Sequence, residues 1–382
     1  MSIVLDGTTG LAGAATGALN GALGGTTPST VVATSVNTPN TFGFKNRIIN
    51  GSMVFDQRNE AAAVSANDTY PVDRFLFSSA TDGTVTAQRD TTVPAGYINS
   101  LKFTTTVADA SLGATQFCAI RQRIEGYNVN DLGWGAAGAS SVTLSFWVRS
   151  SLTGTFGGAI TNAAFDRSYP FTYTISAANT WEQKTVTVAG DTTGTWATTT
   201  GIGMQIAFGI GVGSTYSGTA GSWAAAGYLS ATGATNVVGT LSATLYITGV
   251  QLEKGSTATS FDVRDYGREL IMCQRYYQKT FQQGTAVANC SITPNSSWIF
   301  TLIGASCVTM ARLPVAMRTA PTVTTYSSVN SVAGTWRMAN SAGAGSNGTT
   351  AIGNALDNNV SITVSGTTHT YGNGEIVCSA EL

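Results

Sequence analysis

The sequence predicts an all-β protein, and three observations carry that expectation. Short apolar runs alternate with polar residues, most clearly in Val142-Thr143-Leu144-Ser145-Phe146-Trp147-Val148-Arg149, where Val142, Leu144, Phe146 and Val148 share one face. Gly, Asn, Asp and Pro fill the intervals between such runs, as turn-forming residues do between strands. Away from the N-terminus only one segment, 264–279, has helical periodicity.

Residues 1–41 stand apart from the rest. Ile3-Val4-Leu5 is a strand-like run followed by the turn signal Asp6-Gly7. Behind it, Leu11, Ala15, Ala18 and Ala22 recur at spacings of three and four in a Gly/Ala-rich stretch. That spacing permits a thin helix, which each glycine weakens by about 1 kcal/mol relative to alanine. The stretch reads either as a flexible linker or as a segment that orders when several copies pack together.

Residues 42–263 read as strands. Besides 142–149, the runs are Leu101-Lys102-Phe103, Cys118–Ile124, Phe171–Ile175, Lys184–Val188 and Leu245-Tyr246-Ile247. Lone hairpins cannot bury both faces, so two sheets must stack, giving a jelly-roll β-sandwich. Met204–Ile210 reads as a further core strand inside the Gly/Ala/Thr/Ser-rich stretch 192–240, whose loops are expected on the surface with Trp196, Tyr216, Trp223 and Tyr228. Residues 264–280 read as a linking helix, capped by Asp265, with Leu270, Cys273, Tyr276 and Tyr277 on one stripe. Residues 281–382 return to strands, led by Ser297–Ile303 and Leu313–Val323, and form a second small β domain.

Composition narrows the function classes. Charged residues make up 10% of the 382, against about 25% in ordinary soluble domains. Hydrophobic residues make up 43% and the formal net charge is −1, so the chain is not of the disordered class. Near-neutrality and the lack of a basic stripe argue against nucleic acid as a partner. No apolar run is long enough to predict membrane insertion, and no basic residue precedes an apolar block as in a secretory signal. The five cysteines, 118, 273, 290, 307 and 378, are scattered and odd in number. They read as reduced, mostly buried thiols rather than as a disulfide framework or a metal site.

No constellation points to catalysis. His369 is the single histidine, and no G-x-S-x-G elbow is present, so a Ser/His/Asp triad is not expected. One histidine without a cysteine pair leaves no transition-metal site, and no cofactor is expected. Glycoside hydrolysis needs two carboxylates about 5–9.5 Å apart. Glu125 with Asp131, and Asp262 with Asp265, are the pairs close in sequence. Glu125 lies at a strand end beside Arg121 and Arg123, which reads as local ion pairing.

Three segments then carry a resemblance. Lys45-Asn46-Arg47-Ile48-Ile49-Asn50-Gly51-Ser52-Met53-Val54-Phe55-Asp56-Gln57-Arg58, Gly249-Val250-Gln251-Leu252-Glu253-Lys254-Gly255 and Cys273-Gln274-Arg275-Tyr276-Tyr277 resemble, in this order, segments of fibre-like appendage proteins of tailed bacteriophages. Leu313–Val323 is similar to a strand common near the C-termini of such fibres. The resemblance runs from about Lys45 to Leu382, and the first ten residues also look like fibre N-termini. It implies a virion protein assembled in the host cytoplasm, a homotrimer, with residues 1–41 anchoring it to other virion proteins and a body that contacts host-surface polysaccharide. The jelly roll also resembles carbohydrate-binding modules found beside xylanases, through Asn50-Gly51-Ser52-Met53 and Ser145-Phe146-Trp147. Those modules often carry acids for a structural calcium ion where this chain has Ile247-Thr248-Gly249-Val250, so no metal is expected here. Stacking of sugar rings on aromatic faces makes Trp147, Arg149 and Trp134 the candidate glycan-binding residues. The competing reading packs Trp147 under a covering loop or against another subunit. A carbohydrate-binding module outside a virion and a capsule-degrading glycosidase are the alternative functions.

Overall fold

Why so weakly charged a chain folds into sheets is visible in its strand faces. The computed structural model describes residues 44–285, 287, 298–301, 306–327, 332–339, 345–365 and 371–382. The sequence expectations for residues 1–41, Cys290 and His369 lie outside these. The first body contains β1 (Thr69–Val72), β2 (Phe75–Ala80), β3 (Thr84–Asp90), β4 (Ser100–Val107), β5 (Phe117–Glu125), β6 (Val142–Ser150) and β7 (Gly154–Thr161). It continues with β8 (Ser168–Ile175), β9 (Glu182–Val188), β10 (Ile202–Val212), the two-residue β11 (Ser217–Gly218) and β12 (Ser230–Ala231), and β13 (Thr244–Lys254). One sheet has the order β3-β4-β13-β6-β9 and the other β1-β2-β5-β10-β7-β8, which is a jelly-roll sandwich.

Alternation fixes the core between them. Val142, Leu144, Phe146 and Val148 are fully buried. Phe146 meets Tyr173 and Phe208 of the opposite sheet edge-on, at 5.0 and 4.9 Å between ring centroids. Each such aromatic contributes roughly 1.5–3 kcal/mol by burial. The loop holding β11 and β12 does not stay at the surface as expected. Leu229, Ser230 and Ala231 are buried against the outer side of the six-stranded sheet. Gly209 permits this, because a Cβ there would stand 2.8 Å from the Ser230 hydroxyl.

A helix, α1 (Tyr266–Gln274), follows, and Asp265 caps it by accepting from the Arg268 N–H at 2.9 Å. It is shorter than the 264–280 expected from periodicity. Tyr277 to Lys279 form β14, paired with β21, so of the two tyrosines at the end of the apolar stripe Tyr276 lies in a turn and Tyr277 in a strand. The second body contains β14 (Tyr277–Lys279), β15 (Trp298–Thr301), β16 (Ser306–Arg312), β17 (Thr322–Ser327), β18 (Thr335–Ala339), β19 (Gly345–Ala355), β20 (Asn359–Ser365) and β21 (Tyr371–Ser379). The main path is β14-β21-β18-β19-β20-β16, and β15 and β17 also pair with β21. Trp336, Met338, Val360, Ile362, Val364 and Ile376 form its core. Leu313–Pro321 is a loop and not the expected strand, since Pro314 and Pro321 have no N–H to give a ladder. Arg318 in that loop donates to the carbonyls of Thr200, Ala380 and Glu381, each at 2.9 Å.

Both bodies and α1 belong to one compact unit, Asn40–Leu382, and a buried polar joint holds them. The fully buried Asn50 amide donates to the carbonyls of Phe55 and Asp73 at 2.8 and 2.9 Å and accepts from the Phe55 N–H at 2.9 Å. Gln122 closes a two-bond ring with the backbone of Ile49, at 2.9 and 2.8 Å. Glu125 is buried and accepts two bonds from Arg275, at 3.0 and 2.6 Å, and one from the Tyr276 hydroxyl at 2.7 Å. Its partners are therefore not Arg121 and Arg123, as the local sequence suggested. Arg58 bridges Asp73 at 3.3 Å and Glu381 at 2.9 Å, and Arg74 also contacts Glu381. The guanidinium carbons of Arg58 and Arg74 lie 3.6 and 3.5 Å from the ring centroids of Tyr277 and Tyr276. Burial alone would push the Arg58 pKa down; the carboxylates of Glu381 and Asp73 outweigh it and hold the guanidinium charged.

Two predictions follow from this packing. Asn50 holds a positive φ of 60°, which Asn tolerates better than Ala, and its loss strands three backbone groups. Asn50→Ala is expected to destabilise the fold by at least about 3 kcal/mol, read as a lower urea midpoint; an unchanged midpoint contradicts the joint. Cys118, Cys273 and Cys378 are buried. Burial pushes the Cys118 and Cys378 thiols up to about 12, and Cys273 well above its ordinary value. Native alkylation at pH 8 followed by peptide mass mapping should leave these three unmodified, and labelling should appear only in denaturant.

Candidate functional site

The strand alternation that buries Phe146 and Val148 turns Trp147 and Arg149 outward, where both are half-buried. Trp147 stands between Gln183 of β9 and Thr248 of β13, and Arg149 stands opposite Tyr246 of β13. The Arg149 guanidinium carbon lies 5.0 Å from the Tyr246 ring centroid, and its Nε donates to the Asn179 carbonyl at 3.0 Å. The Lys102 ammonium approaches the same ring at 5.6 Å and Trp181 meets it edge-on at 6.2 Å. These side chains form one aromatic and cationic surface on the five-stranded sheet. Gln183 and Thr185 beside it are exposed.

Trp147 is partly covered by its own chain. The loop after β3 folds back, fixed by a 2.7 Å bond from the Thr248 hydroxyl to the Asn99 carbonyl. It brings Tyr97 toward the indole: the Tyr97 hydroxyl packs over Gly249, next to the Thr248 that stands opposite Trp147. Burial raises the Tyr97 pKa, and the neighbouring Trp147 side chain pulls the other way. Tyr97 was not among the sequence candidates, because only this fold-back places it there. Tyr246 and Lys102 were legible: each occupies the polar position of an alternating run, Leu245-Tyr246-Ile247 and Leu101-Lys102-Phe103.

Trp134 belongs to a different cluster. It lies on a loop, as expected, but packs against Trp196 and Trp223 at 4.7 and 5.3 Å, and those two meet at 5.6 Å. All three pairs are near-perpendicular. Their indole N–H groups donate to the carbonyls of Ser140, Thr193 and Ala189, at 2.7, 3.1 and 2.9 Å. Ser140 precedes the start of β6, and Val142 to Trp147 is five residues of strand, roughly 17 Å. The structure thus unites Trp147 with Arg149 and separates both from Trp134.

Three of the four carboxylates weighed for hydrolysis hold the fold together. Glu125 is closed in the joint. Asp131 pairs with Arg47 at 2.9 Å and Lys254 at 3.5 Å, and Asp265 caps α1. Among the described residues no group of three or more His, Cys, Asp and Glu side chains is placed to hold a metal ion.

The tryptophan cluster is braced by an acid-sensitive pair. Asp191 accepts two bonds from Arg167, at 2.9 and 2.6 Å. Burial would raise its pKa, but Arg167 and the N–H and hydroxyl of Thr193 together hold it below 3.8. A depressed carboxyl contributes its stability above the unfolded value and loses it as pH falls through the folded one. Acidification below 3.8 should therefore loosen the cluster and shift tryptophan emission to the red. Asp191→Asn should show that shift already at neutral pH, and an unshifted spectrum would count against the brace.

No family model matches the chain, and no curated protein matches it. Among solved structures it is similar to the enzymatically active domain of tailspike protein 4 of bacteriophage CBA120, at 12% identity and a TM-score of 0.29. That match covers 55% of this chain and 21% of the tailspike's own length. It is also similar to a family 4 carbohydrate-binding module, at 16% identity and a TM-score of 0.26, covering 54% of this chain and 97% of the module. A family 11 carbohydrate-binding module from Clostridium thermocellum is similar at 11% identity and a TM-score of 0.26, covering 52% of this chain and 99% of the module.

Proposed function

We propose that this chain is a structural, non-enzymatic, fibre-like virion protein of a tailed phage that attaches by holding a host-surface glycan on the outer face of its five-stranded sheet. The observation that carries the glycan reading is the surface built by Trp147, Arg149, Lys102 and Trp181. It offers a half-buried indole for the apolar face of a pyranose, with cationic donors beside it for hydroxyls. The opposite sheet supports the same choice of face, because its own chain lies over it at Leu229–Ala231. The virion context is supported by the three motif segments. Residues 1–41 would serve as the anchor, and a homotrimer is the assembly such fibres imply. The alternative, a carbohydrate-binding module outside a virion, shares the sheet surface and differs in the partners of residues 1–41.

The test is an array of bacterial surface polysaccharides probed with wild-type protein and Trp147→Ala. A stacked aromatic at a hot spot is worth about 2 kcal/mol or more, so affinity should fall roughly thirtyfold. Melting should move by only a few degrees, about 2–4 °C per kcal/mol for a body of this size. Unfolding of the variant would show that Trp147 belongs to the core. For the assembly, mass measurement at micromolar concentration should give a trimer that persists in high salt, since few charges are available to an ionic interface. A monomer would contradict that part. A chain lacking residues 1–41 should fold yet fail to enter particles; normal incorporation would overturn the anchor role of residues 1–41.

A further inference from the structure

Past Tyr97, at the rim of the candidate face, a cavity of about 470 Å³ opens. Two aromatic pairs wall it. Tyr97 and Phe261 meet at 5.5 Å, and Phe55 and Tyr266 at 4.7 Å. Its size falls in the range of small-molecule sites, roughly 300–1,000 Å³. The back is closed and rigid: Arg264 donates to the backbone carbonyls of Ile48 and Asn46 and to Glu269, which in turn accepts from the Asn50 N–H. The Phe261 wall is held in place by Gln251, which accepts from the Asp262 N–H at 2.8 Å, and by Glu253, which takes two bonds from Thr259 at 2.8 Å each.

Two polar groups in this lining keep free capacity. The Asp262 carboxylate is about one third exposed, and its single ion-pair contact among the described residues is Arg264 Nε at 3.5 Å. The Ser52 hydroxyl, half-buried, has no hydrogen-bond partner among the described residues. Aromatic walls with one carboxylate acceptor and one hydroxyl suit a ring that is apolar on its faces and bears hydroxyls on its edge, which is a pyranose. A wholly apolar guest would bury Asp262 without a donor, and an anionic sugar would meet it with like charge.

We infer that the cavity between Tyr97–Phe261 and Phe55–Tyr266 binds the terminal neutral pyranose of a glycan whose next residues lie on Trp147. Tyr97 belongs to both places, since its hydroxyl lies over Gly249, next to the Thr248 that faces Trp147, while the residue lines the cavity. The closed back admits a chain end and not a chain interior. This rests on the glycan reading of Trp147.

The experiment uses full-length protein and neutral glucan, galactan and mannan oligosaccharides of about three to six residues, measured by calorimetry. The variants are Tyr266→Ala, at a ring 61% exposed, and Asp262→Asn, which keeps the side-chain shape. Each should weaken binding about tenfold or more, with melting unchanged. Wild-type binding should be lost when an additional sugar caps the terminal residue. If Trp147→Ala loses binding while both cavity variants bind like wild type, the cavity inference falls and the face reading stands. If wild-type protein binds none of the oligosaccharides, the cavity inference falls; if the polysaccharide array is also blank, the face reading falls with it. If the cavity variants change the oligomer mass and leave sugar affinity untouched, the cavity is a contact between copies and the inference is overturned.

Discussion

The rest of the structure depends on the satisfaction of buried polar groups where the two β bodies and α1 meet. A sandwich core such as that around Phe146 is held by non-directional burial, which does not say how a second body should sit on it. The joint does. Asn50, Gln122, Asp73 and Glu125 are each almost inaccessible to water, and each has partners in one geometry only. Leaving any of them unpaired costs far more than an ordinary contact gains. In a chain with 39 charged side chains, 19 basic and 20 acidic, it is telling that so many cluster here. Neutral hydroxyls and amides face the solvent elsewhere.

This gives the three recognisable sequence segments a physical meaning. Asn46, Asn50, Gln57 and Arg58 of the first, Gln251 and Glu253 of the second, and Arg275, Tyr276 and Tyr277 of the third all serve backbone groups, ion pairs or rings within the protein. They are architectural. Trp147, Tyr97 and Trp181, the groups of the proposed glycan face, lie outside these segments. The same framework can therefore present different surfaces without altering the residues that make it recognisable.

Much of this was legible, and the failures have reasons. Strand alternation gave the core face of β6 and the outward side of Trp147 and Arg149, because a period of two leaves little choice once one face is buried. Asp265 as helix cap was legible from its position before Arg268 and Glu269. The partner of Glu125 was not, since Arg275 is 150 residues away while Arg123 is a near neighbour in sequence. Helical periodicity ran past Gln274 because Tyr276 and Tyr277 are buried for other reasons: one under Arg74, one in a strand. Tyr97 was hidden for the same kind of reason. A loop that folds back on a sheet leaves no periodic trace.

The arrangement around β21 sets a temporal order as well as a spatial one. This strand follows in the chain every strand it pairs with, and the residues just after it complete the joint, since Glu381 neutralises Arg58 and Arg74. Those partners are separated by 323 and 307 positions. A nascent chain that has finished β13 already holds every strand of the sandwich, yet its seam has Arg74 without Glu381 and Glu125 without Arg275. Closure must wait until synthesis passes residue 381, and contacts of such long sequence separation form slowly. Until then the half-made molecule exposes an unpaired cation and an unpaired anion along the seam, each of which closure buries against its partner.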